Sequence, residues 1–270
     1  MKSASFFSKI LLMCWAICFI IPVDVPAACR NPQVAGDAPL VQYVAASGKV
    51  EIKWFGHSFF QITSSSGTRI ITDPFGAMGF PMPNDVFGHV VTVGREHGNH
   101  NNVGLVKGDP IVLRGLKQGG QDWEAVNLMY RDVLIYNVPV HQRGVPDNMS
   151  LKGSGFVFEV DGLCIFHSGD VSDPYNEDQL HLIGHVDVLL QVIGGVYTIG
   201  PEGGRKVIEQ LKPKIVIPMH YWHHQGVLDR FLDGSYRART LDTNTLTVSK
   251  DTLPPSTEII ILKVRREGDI

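Results

Sequence analysis

The chain lacks most of the features that would settle its class at a glance. With 4 cysteines in 270 residues it has no disulfide framework of the kind that holds small secreted domains together. Charged residues make up only 19% and the formal net charge is −3, which excludes both a basic nucleic-acid-binding domain and a charged disordered chain. Basic and aromatic residues are nowhere interleaved, so nucleic acid is not an expected partner. No apolar run reaches the roughly 20 residues a membrane-spanning helix needs; the longest near the start, Ile10–Ile21, has 12.

That run is nevertheless informative. Lys2 and Lys9 precede it and Val25-Pro26-Ala27 follows as a small-residue cleavage signature, so residues 1–27 read as a secretory signal peptide. The expected location is secreted or periplasmic. Cleavage after Ala27 leaves 270 − 27 = 243 residues, with 24 − 2 = 22 basic against 27 − 1 = 26 acidic side chains, a net of −4. A lipoprotein with Cys29 as the lipidated residue is the less favoured reading, because Pro26 stands where an aliphatic residue is wanted. Cys29 and Cys164 are the cysteines that remain. Cys164 lies in an apolar, strand-like run and is read as a buried small residue in preference to a disulfide partner of Cys29. Residues 28–48 read as an N-terminal arm, and 49–270 as a single domain large enough to bury a core. Asn148-Met149-Ser150 is a glycosylation sequon by pattern, relevant only in a eukaryotic source.

The chemistry lies where apolar runs end. Val90–Val93 empties into Gly94-Arg95-Glu96-His97-Gly98-Asn99-His100. Three distant segments end in the same way: Val138-Pro139-Val140-His141, Cys164-Ile165-Phe166-His167-Ser168-Gly169-Asp170 and Ile215-Val216-Ile217-Pro218-Met219-His220. Strands fix the backbone and the following loops turn imidazoles and a carboxylate toward one point. Such donors suit zinc and similar divalent ions. His97, His100, His141, Asp170 and His220 are therefore the candidate metal ligands.

With Trp54-Phe55-Gly56-His57-Ser58-Phe59, Ile71-Thr72-Asp73-Pro74-Phe75 and Pro218-Met219-His220-Tyr221 added, the order of motifs resembles that of metallo-β-lactamase-fold hydrolases. The resemblance is to the branch of L-ascorbate-6-phosphate lactonase and related predicted metal-dependent hydrolases, and it covers residues 50 to 225 or so. It implies an α/β fold, a four-layer αββα sandwich, and metal-dependent hydrolysis of a small-molecule substrate. In the family, His-x-His-x-Asp-His opens two metal sites. Its first two histidines and a later one hold one ion; the aspartate, the third histidine and the last histidine hold the other; a later aspartate bridges both.

Here the motif reads Arg95-Glu96-His97-Gly98-Asn99-His100, so the first histidine and the aspartate are replaced. Arginine stays protonated and cannot ligate. The first site is expected to bind metal poorly; the second keeps His100, His220 and Asp170. One ion is expected, zinc first and manganese as the alternative. If Arg95 points inward, it can pair with Asp170 and with a substrate oxyanion in place of the missing cation. Asp170 is the expected holder of the attacking water, with Arg95, Asn99 or His57 steadying developing charge. His57 is read as a donor beside the cleft, as a substitute for the lost ligand, or as a capped turn histidine. Asp73 is expected to orient a ligand imidazole. His167 is expected to point away from Asp170 as a structural histidine, and His89, His181 and His185 to be structural too. His223 and His224 read as exposed loop residues. Gly194-Gly195 and Gly203-Gly204 lack the rest of a nucleotide signature and read as turns near the site. The rival function is a binding protein on the same scaffold whose chemistry has lapsed.

Periodicity places strands at Val50–Phe55, Phe59–Thr63, Thr68–Ile71, Val90–Val93, Ile111–Leu113, Val126–Tyr130, Val133–Val140, Gly155–Val160, Leu163–Phe166, Val186–Ile193, Ile215–Met219 and Glu258–Val264. Helices are expected at Asn101–Val106, Asn176–Ile183 and Pro201–Leu211, and residues 74–89 read as a surface loop rimming the cleft.

Overall fold

The computed structural model describes residues 29, 48–144, 150–221 and 225–264. The signal peptide, most of the N-terminal arm, the Asn148 sequon, and His223 and His224 lie outside the described residues.

The first half of the chain supplies β1 (Val50–Gly56), β2 (Phe59–Thr63), β3 (Arg69–Thr72), β4 (Val86–Phe87), β5 (Val90–Val93), β6 (Val106–Lys107) and β7 (Ile111–Arg114). The second half supplies β8 (Asn127–Tyr130), β9 (Val133–Arg143), β10 (Ser150–Val160), β11 (Leu163–His167), β12 (Val188–Val192), β13 (Ile215–Met219), β14 (Arg237–Thr240), β15 (Thr245–Val248) and β16 (Glu258–Ile261). Helices α1 (Glu177–Ile183), α2 (Pro201–Leu211) and α3 (Gln225–Phe231) follow β11, β12 and β13. One sheet runs β15-β1-β2-β3-β5-β7 and the other β14-β16-β13-β12-β11-β10-β9-β8, with β4-β6 as a separate pair. The result is an α/β sandwich.

Local chemistry explains the boundaries. The β10–β11 turn is Asp161-Gly162, both at positive φ, as a tight two-residue hairpin requires. Asn176 caps α1: its side chain accepts from the Gln179 N–H while the Gln179 side chain accepts from the Asn176 N–H. Pro201 opens α2, where its missing N–H is no loss.

The smaller sheet is buried on both faces. Phe60, Ile62, Ile70 and Val90 join the main core with Phe156 and Phe166 of the larger sheet. Phe59, Ile71, Val91 and Val93 form a second core with Phe75, Phe80 and Val86. Residues 74–89 are thus not simply a surface loop. Phe75 and Phe80 seal the outer face of the sheet, each contributing about 2 kcal/mol of apolar burial. The expected short helix at 101–106 is a single 3₁₀ turn, Val103–Leu105, running into β6. The β9–β10 hairpin extends further than the apolar pattern suggested, pairing Arg143 with Ser150. Strands β14 and β15 and helix α3 were not expected. Every residue of β14 is exposed, which removes the alternation that would reveal it.

Cys29 and Cys164 form a disulfide, correcting the expectation of a free buried Cys164. Among the described residues, no helix is long and apolar enough to cross a membrane.

Candidate metal centre

The donor side chains meet where strands end. His57 follows β1, Asp73 follows β3, the 94–100 segment follows β5, Asp170 follows β11, and His220 follows β13. The backbone there turns sharply: His57, Asp73 and His220 have φ of 50°, 39° and 62°, a region that non-glycine residues seldom occupy. Gly169, at φ 60°, brings Asp170 inward, and a Cβ on it would lie 2.4 Å from the Ser154 carbonyl oxygen. Gly194 approaches His220 so closely that a Cβ would sit 2.5 Å from its carbonyl oxygen and 2.7 Å from Nδ1.

His57, His100 and His220 each present a ring nitrogen within 4.8 Å of the others. The His57 and His220 ring centroids are 3.8 Å apart. Asp170 lies against this cluster, with Oδ2 3.0 Å from His100 Nε2 and Oδ1 3.6 Å from His220 Nε2. Gln142 Nε2 donates to the same Oδ2 at 2.9 Å, and Arg95 Nη1 stands 3.5 Å from it. Asp170 Oδ1 is buried and has no hydrogen-bond partner among the described residues.

The surroundings orient these groups. Asp73 accepts the Gly94 N–H through Oδ1 at 2.6 Å and faces His100 Nδ1 through Oδ2 at 3.2 Å. A carboxylate behind a ligand imidazole fixes its tautomer and directs the other nitrogen at the ion. Asn99 Nδ2 donates to His57 Nε2 at 3.2 Å, and its Oδ1 is bonded to His97 Nδ1. His167 lies outside the cluster as expected: Nε2 donates to the Ser58 carbonyl at 2.9 Å and Nδ1 accepts the Gly169 N–H.

Burial alone would lower the His100 imidazole, but the Asp170 charge and bonds to Asp170 and Asp73 push it up to about 10. Burial would raise the Asp170 carboxyl, yet the charges of His100 and His220 hold it well below the ordinary carboxylate range. Burial holds His220 below its ordinary value; Asp170 pulls it up, while His100 and Arg95 push it down. An ionised carboxylate with an unbonded oxygen beside buried imidazoles is a donor set that suits one divalent ion.

Two expected ligands are not part of this cluster. His97 sits in an exposed turn, its carbonyl accepting from the His100 and Asn101 N–H groups and its ring bonded to Asn99. His141 is exposed and packs edge-on against Trp123, ring centroids 5.0 Å apart. Neighbours on a strand face opposite sides, and β9 turns Gln142 toward Asp170. The alternation carried a usable signal, since Val138 and Val140 put residue 142 on the buried face. His57, expected beside the cleft or as a substitute ligand, stands in the imidazole cluster. Arg95 points inward, with 20% of its side chain exposed.

The profile of the beta-lactamase superfamily domain matches residues 51–220. A UPF0173 metal-dependent hydrolase of Thermococcus kodakarensis is 32% identical over 203 residues, covering 64% of this chain and 84% of that protein. A Thermotoga maritima protein assigned to the zinc-dependent hydrolases of the metallo-β-lactamase superfamily superposes with a TM-score of 0.61 at 31% identity, over 80% of this chain and 100% of that one. A Parabacteroides distasonis protein assigned as a metal-dependent hydrolase superposes with a TM-score of 0.57 over 81% of this chain and 94% of that one; at 16% identity it shares the fold alone. Motifs, sandwich and matches agree: the chain belongs to the β-lactamase superfamily, in the family that includes the UPF0173 metal-dependent hydrolases.

Proposed function

We propose that the protein is an exported hydrolase working with one divalent ion, zinc before manganese, held by His57, His100, His220 and Asp170. The observation that carries this reading is the convergence of three imidazoles on a buried carboxylate with one unbonded oxygen. When bound, the ion lowers the pKa of a water molecule and polarises the oxygen of the group under attack. Asp170 Oδ1 positions that water and takes its proton. Arg95 steadies the negative charge that develops on the substrate. Asn99, its amide engaged by two histidines, orients His57.

The substrate is a small molecule bearing an ester, lactone, amide or phosphoester bond; the fold alone does not choose among them. One ion follows from Arg95, whose fixed charge beside Asp170 opposes a second dication. Export is supported by the leader-like N-terminus and by the buried Cys29–Cys164 disulfide, a bond typical of oxidising compartments.

Metal analysis of the purified mature protein, joined to a thermal melt with added zinc, tests the reading. Near-stoichiometric zinc and a raised melting temperature, both lost in His220→Ala, are expected. Two tightly held ions per chain would refute the single-ion site. The outward placement of His97 and His141 favours the rival, a binding protein whose chemistry has lapsed, and a protein that ignores zinc would decide for it.

A further inference from the structure

Arg95 is held in the cleft with little to hold on to. Its only polar contact among the described residues is Nη1 to Asp170 Oδ2 at 3.5 Å, at the outer limit of a hydrogen bond. That oxygen already accepts from Gln142 at 2.9 Å and faces His100 Nε2 at 3.0 Å. The neighbouring carboxylate, Glu96, is taken by Arg114 Nη1, at 2.6 and 2.7 Å to its two oxygens, and by Asn101 Nδ2 at 3.2 Å. Among the described residues, no other group competes for the rest of the Arg95 fork. A guanidinium presents a rigid, planar set of donors that matches an oxyanion two oxygens at a time. Burying most of such a cation without acceptors is unfavourable.

We propose that Arg95 is an oxyanion anchor, and that the substrate carries a carboxylate or phosphate group gripped by its fork, next to the bond that is broken. The hydrolytic part of this statement rests on the function proposed above; the anion binding does not. A neutral ester would leave the fork unpaired in the complex, so the site selects against it. Lysine would keep the charge and lose the paired geometry.

Isothermal titration of the mature, folded chain with inorganic phosphate, and separately with acetate, reads the anchor directly. Each is run on zinc-loaded and chelator-treated protein, for wild type, Arg95→Lys, Arg95→Gln and Arg95→Ala. Circular dichroism checks that each variant is folded, and Arg95→Gln keeps the side-chain bulk should alanine loosen the loop. Wild type is expected to bind at least one of the two anions. Arg95→Ala and Arg95→Gln should weaken that binding about tenfold or more, and Arg95→Lys by less. Tighter phosphate binding assigns a phosphorylated substrate, and tighter acetate binding a carboxylate-bearing one. Zinc affinity in Arg95→Ala should be unchanged or higher. Anion affinity that is equal in wild type and both neutral variants, or absent from wild type in both zinc states, overturns the anchor. Loss of zinc binding with Arg95-dependent anion binding intact would remove the hydrolase and leave the anchor standing.

Discussion

Two buried carboxylates at opposite ends of the larger sheet behave in opposite ways. Asp187 precedes β12 and Asp170 follows the parallel neighbour β11, and both are almost fully shielded from solvent. Every oxygen of Asp187 is engaged: Lys250 Nζ reaches both at 2.8 and 2.7 Å, His185 Nε2 meets Oδ1 at 3.0 Å, and the Cys164 N–H meets Oδ2 at 2.9 Å. Asp170 takes the Gln142 and Arg95 donors on Oδ2, with His100 Nε2 standing 3.0 Å from the same oxygen, and leaves Oδ1 without a hydrogen bond among the described residues. A structural carboxylate is satisfied by the protein itself. One that keeps an oxygen back, among buried imidazoles, is shaped for something the chain does not contain.

If the Asp187 end is structural, breaking it should cost stability and leave metal binding alone. The largest effect is expected from the disulfide beside it, which closes a loop of sequence separation 135. Replacing both cysteines by serine should lower unfolding free energy by about 4 kcal/mol in urea, with zinc affinity retained. Next comes Asp187→Asn, which removes the charge partner of the part-exposed Lys250 and should cost about 2 kcal/mol. Its pH dependence has a definite sign. Burial would raise the Asp187 carboxyl, but the bonds from His185, Lys250 and the Cys164 N–H hold it below its ordinary value. The stability it contributes is therefore present above the ordinary carboxylate pKa of about 3.9 and is lost as pH falls through the lowered folded value. Urea melts from about pH 6 to about pH 3 should show this acid loss in wild type and not in Asp187→Asn.

Breaking the other end should cost metal binding first. Asp170→Asn is expected to weaken zinc by about a hundredfold or more in competition with a chromophoric chelator. The zinc-free protein should lose stability as well, because the lowered Asp170 carboxyl and the raised His100 imidazole stabilise one another. With Asp170 present, the His100 proton is held to about pH 10, so zinc must displace it and affinity should rise with pH. The variant should lose most of that slope. A destabilised Asp170→Asn that kept its zinc would erase the contrast between the two carboxylates.

The elements that carry and frame the site were largely legible. Phe59–Thr63, Val90–Val93, Ile215–Met219 and Pro201–Leu211 fall where apolar periodicity and the opening proline put them. The termini of the sheets were not. β15 pairs with β1 across nearly the whole domain, and nothing local in Thr245–Val248 announces so distant a partner. The cysteine pairing was missed for a related reason: a thiol in an apolar run looks the same whether or not a second sulfur reaches it. At the site itself, residue chemistry misled where backbone direction decides. Histidines at 97 and 141 have the right donor, but one lies in a turn facing solvent and the other on the outward side of its strand.

That last point yields the smallest and sharpest test, because it turns on one step along β9. Gln142 Nε2 donates to Asp170 Oδ2, so it aims the carboxylate from behind. Gln142→Ala should weaken zinc by about tenfold, the usual consequence of losing a bond behind a ligand, and shift the pH at which zinc is half bound. Gln142→Glu would place a second carboxylate against Asp170 and should disturb the site more than alanine does. His141→Ala, one residue away on the opposite face, should leave zinc affinity unchanged. If instead His141→Ala removes zinc and Gln142→Ala does not, β9 presents its other face to the cleft, and the family's own histidine is the ligand after all.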